Sequence, residues 1–411
     1  MLPQLLSTNH CDKNTVMASS RDGYVEISQD GGLSWNGIST GVQVYLYDIF
    51  ALSDTQAWVC GSDPLFGIIY TGFWDGTKFT KMILPAGVTG MMTGIHFRNS
   101  LVGLMCGSNF NSYQPLGAVM LKTIDGGKTW ALKQSNSKDH FKQVQMVTNT
   151  VSYACGDKGT VTKSTDDGDS WVKLVPVTAS QLSGLFFFDE NNGMVVGQYG
   201  ASFITNNGGV SWTPLPLLDN PHWNFVHGAN GKYCVVGSGG RACLVDSATR
   251  VVTKLNLNTP WNLTGVSMHD DLNIVIVGCA NVEVGGVTFQ TDDGGITWNG
   301  QTVVVQPRGS FACSPTFLNF GTVRNGQTKK LFVNISNVGN AVLNVNARSS
   351  DMFYLDNNGV LVQNKSVVVN AGQTVPIGIT CKSTTNKFNS NKIAFTHDGD
   401  NAMFDLSVTV N

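Results

Sequence analysis

The chain has 411 residues, 42% of them hydrophobic and only 13% charged, with a formal net charge of −2. Its 19 Lys and 7 Arg are spread along the chain, so it lacks the basic field that phosphate-driven nucleic-acid binding requires. No run approaches the roughly 18 consecutive apolar residues that span a bilayer, which argues against membrane insertion, and 46 Gly and 37 Asn beside 21 Phe, 9 Trp and 9 Tyr describe many short strands, many tight turns and ample core.

The N-terminal stretch MLPQLLSTNHCDKN has neither a basic n-region nor an apolar run of signal-peptide length, so export by the general route is not expected. One string then recurs along the chain: SQDGGLSW at 28–35, TIDGGKTW at 123–130, STDDGDSW at 164–171, TNNGGVSW at 205–212 and TDDGGITW at 291–298. Two of the intervals between its tryptophans are 41 residues, and the others, 95 and 86, are close to twice that. The gaps hold YTGFWDGTKF (70–79) and CLVDSATRVV (243–252), where two copies have lost the signature. A second marker raises the count from five to seven. It is a short apolar strand ending in a small residue: VMAS, WVCG, LMCG, YACG, MVVG, CVVG and VIVG. Upstream of it lies an alternating strand such as YDIFAL, TGIHF, KQVQM, SGLFFF or TGVSM. Three strands, an Asp/Gly turn and a fourth strand in each repeat read as a β-propeller blade.

The string S/T-x-D-x-G-x-S/T-W resembles the Asp-box of the bacterial neuraminidase repeat. The longer unit is similar to the propeller repeats of photosystem II assembly factors and their bacterial relatives. The resemblance implies an all-β chain with a seven-bladed β-propeller over residues 1–305. The box residues are expected to be structural: Asp30, Asp125, Asp166, Asn207 and Asp293 closing their own hairpins, and Trp35, Trp130, Trp171, Trp212 and Trp298 packing between blades. Cys60, Cys106 and Cys155 share one repeat position with Ala18, Val196, Val236 and Val277, so these cysteines act as small buried hydrophobes and no disulfide is expected.

After residue 305 the repeat stops. QPRGSFACSP (306–315) reads as a linker, and seven short alternating segments follow to residue 411, which argues for an immunoglobulin-like β-sandwich over 316–411. Its FGTV…VNISNVGNAVLNV pattern resembles bacterial choice-of-anchor and abnormal-spindle-type Ig-like modules, which act as spacers and docking surfaces.

Candidates for chemistry are few. Arg21, Arg98, Arg241 and Arg250 assemble no inward-facing triad for a sialoside carboxylate, and Glu26, Glu190 and Glu283 supply no nucleophile pair. His222 and His227, at i and i+5 on a strand, point to opposite faces. The pairs Asp166–Asp167 and Asp292–Asp293 are either cation ligands or carboxylates bonded to their own turns. No cofactor, metal site or catalytic residue is expected. Two partner-binding candidates remain. Tyr45, Met91, His140, Gln181, His222 with Trp223, and Trp261 with Asn262 are expected at one mouth of the channel, either stacking on a glycan or peptide or plugging the opening. The insertion NFNSYQPLG (109–117) is expected to be a long loop presenting Phe110 and Tyr113.

The chain is therefore expected to be a non-enzymatic structural and interaction protein. The combination of both modules with no leader points to a virion component, such as a phage tail, baseplate or capsid-decoration protein assembled in the host cytoplasm. Its partners would be other structural proteins, including copies of itself. Residues 1–312 carry 18 basic and 23 acidic residues and the remainder 8 against 5, so head-to-arm attraction is one expected mode of association. A glycan-binding or sialidase-like propeller and an assembly chaperone of the photosystem II factor type are the alternatives.

Overall fold

The computed structural model describes residues 4–63, 68–111, 114–134, 139–219, 221–280, 285–302, 311–315, 317–320, 322–324, 326–337, 343–349, 353–382, 389–397 and 403–410. Among them, helix is confined to three single 3-10 turns, Asp157–Gly159, Gln198–Gly200 and Ser238–Gly240. None is long and apolar enough to cross a membrane. The chain divides into two units, Leu2–Val304 and Val305–Asn411.

In the first unit the described residues form seven four-stranded sheets, over 5–39, 45–81, 91–134, 141–173, 182–214, 223–255 and 262–302. Each is an antiparallel meander in which every strand pairs with the next in the chain. The first strands are Leu5–His10, Tyr45–Ser53, Met91–Phe97, Phe141–Met146, Leu182–Phe187, Trp223–Ala229 and Asn262–Met268. They lie side by side in chain order, and Asn262–Met268 returns beside Leu5–His10, so the arrangement closes on itself. Each sheet is contiguous in sequence, so no exchanged strand locks the ring. Closure rests on Leu5, Val16 and Ala18 packed against Val275 and Val277, and on hydrogen bonds between the first and seventh sheets.

The second strands explain why the sequence carries continuous apolar runs. Val16–Ser20, Ser152–Gly156 and Gly193–Gly197 are buried along their whole length, because a neighbouring sheet covers each face. Cys60, Cys106 and Cys155 sit on such strands, fully buried as free thiols. The fourth strands, such as Val172–Lys173 and Thr213–Pro214, are exposed.

The recurrent turn between third and fourth strands is built from its own side chains. Ser28 Oγ donates to Asp30 Oδ1 and accepts from Gly32 N, both at 2.8 Å. The other end of the turn is held by Ser34, whose N–H and hydroxyl both donate to Asp30. Asp125, Asp166 and Asp293 repeat this scheme, and Asn207 does so with one bond reversed, its Nδ2 donating to Ser211 Oγ. In the two copies without the signature, Asp75 accepts from the N–H groups of Thr77 and Lys78, and Asp246 from those of Ala248 and Thr249. A glycine is required at 127, where φ is +91° and an added Cβ would lie 2.2 Å from Met82 Sδ.

Each signature tryptophan packs into the interface with the preceding sheet. Trp35 lies against the Leu5–Val275 cluster, Trp130 beside Phe97 and Trp58, and Trp171 on the Leu104–Phe141 cluster. Trp212 and Trp298 occupy the equivalent places in the fifth and seventh sheets. Trp130 is buried and the other four are half-buried.

The second unit consists of two five-stranded sheets. One runs, in spatial order, Phe311–Ser314, Thr328–Asn337, Thr374–Lys382, Phe353–Asn357 and Val360–Val362; the other runs Phe317–Asn319, Met403–Val410, Asn389–His397, Leu343–Arg348 and Asn364–Val369. Val333, Ile335, Ile377 and Ile379 of the first share one core with Leu343, Val345, Ile393 and Phe395 of the second. The linker expected at 306–315 is shorter than its sequence suggests. Phe311–Ser314 is an edge strand paired with Asn334–Asn337, where its backbone groups find partners that a linker would leave to water. Residues 303–310 lie outside the described residues.

Candidate functional site

The seven first strands surround a cavity of about 190 Å³ on the axis of the cycle, and a narrower one of about 70 Å³ lies further along it. The wider cavity is built by a feature common to all seven sheets. The pairing of first and second strands slips by one residue at the same place in each: between Leu5 and Ser7, Leu46 and Asp48, Met92 and Gly94, Phe141 and Gln143, Leu182 and Gly184, Trp223 and Phe225, and Leu263 and Gly265. Such a bulge inserts one unpaired residue and re-aims its side chain. The inserted residues are Leu6, Tyr47, Thr93, Lys142, Ser183, Asn224 and Thr264, and all seven line the cavity.

Neighbouring first strands share no backbone ladder, so side chains of one bond to the backbone of the next. Asn9 Oδ1 accepts from Ala51 N at 3.0 Å and Asp48 Oδ2 from Ile95 N at 3.0 Å. Thr93 Oγ1 donates to Phe141 O, Gln143 Oε1 accepts from Leu185 N, and Gln145 Oε1 accepts from Phe187 N. Asn224 Nδ2 donates to Leu263 O and Thr264 Oγ1 to Leu5 O.

The titratable groups on these first strands are shifted far from their usual range. Burial pushes the Asp48 carboxyl up to about 6, partly offset by hydrogen bonds from Ile95 N, Ser7 Oγ and Ile49 N. Desolvation lowers His96 and His227, which line the narrower cavity, to about 3 and about 4, and lowers His10, beside Ser267, to about 3. All three are neutral at pH 7, and His96 and His227 accept from Met146 N and Met268 N through Nδ1.

The mouth expected from the sequence is assembled differently. Trp223 is 1% exposed and belongs to the core between the fifth and sixth sheets, so it is unavailable to a ligand. The bulge follows it immediately, and Asn224 faces the axis in its place. His222 is exposed with its ring 5.0 Å from that of Tyr199, and Trp261 is half-buried against the core between the sixth and seventh sheets. Tyr45 lies under the Arg21 guanidinium, His140 faces Asp157 at 3.4 Å, and Gln181 accepts from Gln198. Asn262 Oδ1 accepts from Gly239 N. These residues therefore brace the turns between second and third strands, and of the expected set only Met91 lines the cavity. The insertion at 109–117 is a ribbon rather than a loop: the strands Gly103–Asn111 and Gln114–Thr123 continue into it, with Phe110 paired to Pro115. Tyr113 and the side chain of Phe110 lie outside the described residues.

The box carboxylates are committed to their turns. Hydrogen bonds from Ser170 hold Asp166 at about 2, and those from Thr297 hold Asp293 at about 2. Asp167 is paired with Arg98 at 2.6 Å and Lys122 at 3.2 Å. Among the described residues no three His, Cys, Asp or Glu side chains converge as a metal site would require. The arginines are dispersed: Arg21 donates to Gln4, Arg98 to Asp167 and Arg241 to Gly239 O. In the second unit, Lys330 pairs with Asp356, while Lys329 and Lys365 donate to the carbonyls of Phe320 and Asp356.

No family model and no curated protein matches the chain. Solved structures do. YCF48 bound to D1 peptide superposes with a TM-score of 0.56 at 12% identity, over 70% of this chain and 93% of that one. The WD40 β-propeller domain of Doa1 gives 0.54 at 13% identity, over 67% and 90%. The computationally designed protein Ika8 gives 0.51 at 12% identity, over 82% and 94%. The chain is all-β and contains a β-propeller.

Proposed function

We propose that the chain is a non-enzymatic docking protein. In this reading each of the seven sheets is a blade of one propeller with Asp-box turns over 1–305, followed by an Ig-like sandwich. One observation carries the docking role. The signature turns hold large apolar residues in solvent: Leu33, Ile124, Val210 and Ile296 are 47, 68, 80 and 84% exposed. Leu101 and Leu272, on the adjoining turns between first and second strands, are exposed as well, and Gly126 N and Gly294 N donate to their carbonyls. Rigid turns presenting apolar tips at one end of a disc suit burial against a partner. The pairing of both modules is the feature that favours a virion component, of the tail, baseplate or capsid-decoration kind, bound to other structural proteins or to copies of itself. Mass spectrometry of purified particles tests this: the chain is expected at fixed stoichiometry with the shell or tail proteins, and its confinement to the soluble host fraction would overturn the virion role.

The likeness to YCF48, which was solved with a bound peptide, favours a second reading, an assembly factor that holds a partner's segment.

A further inference from the structure

The ring of bulge residues has two unlike halves. Sheets one to three contribute the bulge residues Leu6, Tyr47 and Thr93, whose hydroxyl is bound to Phe141 O, with Met91 and Asp48 beside them. Sheets four to six contribute Lys142, Ser183 and Asn224. Lys142 is half-buried, and among the described residues its ammonium has no carboxylate within salt-bridge distance and no hydrogen-bond acceptor. The Asp48 carboxylate across the cavity is already held by three donors, so the half-buried ammonium is left to pair with an anionic ligand. Ser183 has no hydrogen-bond partner among the described residues, and the Asn224 side chain spends its Nδ2 on Leu263 O. A hydroxyl and an amide therefore stand on the strands that follow Lys142.

We propose that this axial cavity binds a small free monocarboxylic acid, its carboxylate paired with Lys142 beside Ser183 and Asn224, and its apolar body against Leu6, Tyr47 and Met91. Size limits the ligand: a dry cavity of roughly 150 Å³ holds benzene, so 190 Å³ takes one ring or a short branched chain with its carboxylate. Asp48 limits the charge. It lines the same cavity with its carboxylate held by three donors, and its negative charge disfavours any ligand anion not paired with Lys142, so a dianion is rejected more strongly than a monoanion. The bulges make the site specific to this chain rather than to the fold, because their identities differ around an otherwise repeated frame.

The site is independent of the docking role, and the isolated full-length chain suffices to test it. Binding of benzoate is measured by calorimetry against benzamide, its neutral isostere, and phthalate, its dianionic analogue. Benzoate is expected to bind, with both analogues at least about tenfold weaker, a difference of about 1.4 kcal/mol. Lys142→Met is expected to weaken benzoate about tenfold or more. Ser183→Phe, which fills the cavity while keeping Lys142 in the chain, is expected to abolish binding while the thermal transition is kept, and it decides the matter if Lys142→Met does not fold. Absence of benzoate binding at about 10 mM, equal affinity for benzamide, or undiminished binding by the folded variants would overturn the proposal.

Discussion

Thr264 Oγ1 donates to the carbonyl oxygen of Leu5 at 2.8 Å, across 259 positions of sequence. Further along both strands a second bond joins the same two sheets, from His10 N to Ser267 Oγ at 2.9 Å. His10 Nδ1 also meets that hydroxyl, at 2.8 Å. These bonds join the two ends of the cycle of sheets, which has no exchanged strand to hold it.

Ser267 is therefore the more sensitive closure residue. Ser267→Ala leaves the buried-side His10 N–H without its acceptor, and an orphaned donor of this kind costs about 1–3 kcal/mol. The urea midpoint should fall accordingly, with an unchanged slope. Ser100→Ala, on an exposed turn, is the control and should stay within about 0.5 kcal/mol. A Ser267→Ala midpoint equal to the control would show that apolar packing alone closes the ring.

The signature tryptophans should differ among themselves in a way the repeat does not suggest. Trp130 is 7% exposed and meets Phe97 edge-on at 6.0 Å, while Phe97 stacks on Trp58 at 3.8 Å. Trp130→Ala should cost about 3–5 kcal/mol, the range for deleting a buried large aromatic. Trp171→Ala, at a half-buried position, should cost less, although Trp171 Nε1 donates to Gly168 O. Chemical denaturation of both variants checks the order; a larger loss for Trp171→Ala would contradict it.

Much of this frame was legible in the sequence. The spacing of the boxes and the seven apolar strands located the repeated sheets, because a strand buried on both faces leaves an unmistakable apolar run and a turn closed by its own Asp leaves a fixed string. The axial cavity was not legible. Strand reading assumes that side chains alternate, and one inserted residue inverts the faces on either side of it. Phe141-Lys142-Gln143 and Trp223-Asn224-Phe225 each contain such an inversion. Aligning the repeats placed the residues that lead into each first strand, Trp223 among them, at the channel mouth, and gave Asn224 and Lys142 no role. The signal that was present is the run of Asp48, Gln143, Gln145, Asn224 and His227 on strands that otherwise face the core.

Acid should unfold the chain through its first-strand histidines. His10, His96 and His227 have folded values of about 3, 3 and 4, against an ordinary value of 6.5. For a base whose folded value is depressed, stability is complete above 6.5 and is lost as pH falls toward the folded value. Asp48 acts oppositely. Its value is raised to about 6, so its contribution is greatest below its unfolded value and declines as pH rises through about 6. Three histidines outweigh one carboxylate, and the melting temperature should drop steadily between about pH 6.5 and 4.5. His96→Gln removes one titrating group and should flatten the dependence by up to about 1.4 kcal/mol per pH unit. An unchanged slope in that variant would show that His96 is not among the groups that take up protons on unfolding.

The exposed apolar turns supply the last expectation. Ile124 and Ile296 occupy turns whose backbones are fixed by Asp125 and Asp293, and their side chains stand in solvent at 68 and 84% exposure. Nothing in the fold depends on them, so Ile124→Asp and Ile296→Asp should change stability by no more than about 0.5 kcal/mol. A docked partner would bury them, and a specific interface covers at least about 1,000 Å², enough to span adjoining turns. An aspartate forced into that interface loses its hydration without gaining a partner, a cost of several kcal/mol. Under the proposed virion role, the double variant should therefore fold normally and fail to incorporate into particles. Particle assembly in the presence of equal amounts of tagged wild-type and variant chain, read by quantitative mass spectrometry, measures the ratio directly. Equal incorporation would place the docking surface elsewhere on the chain, whereas a loss confined to the Asp variants, with an exposed Lys78→Asp control unaffected, would assign it to the signature turns.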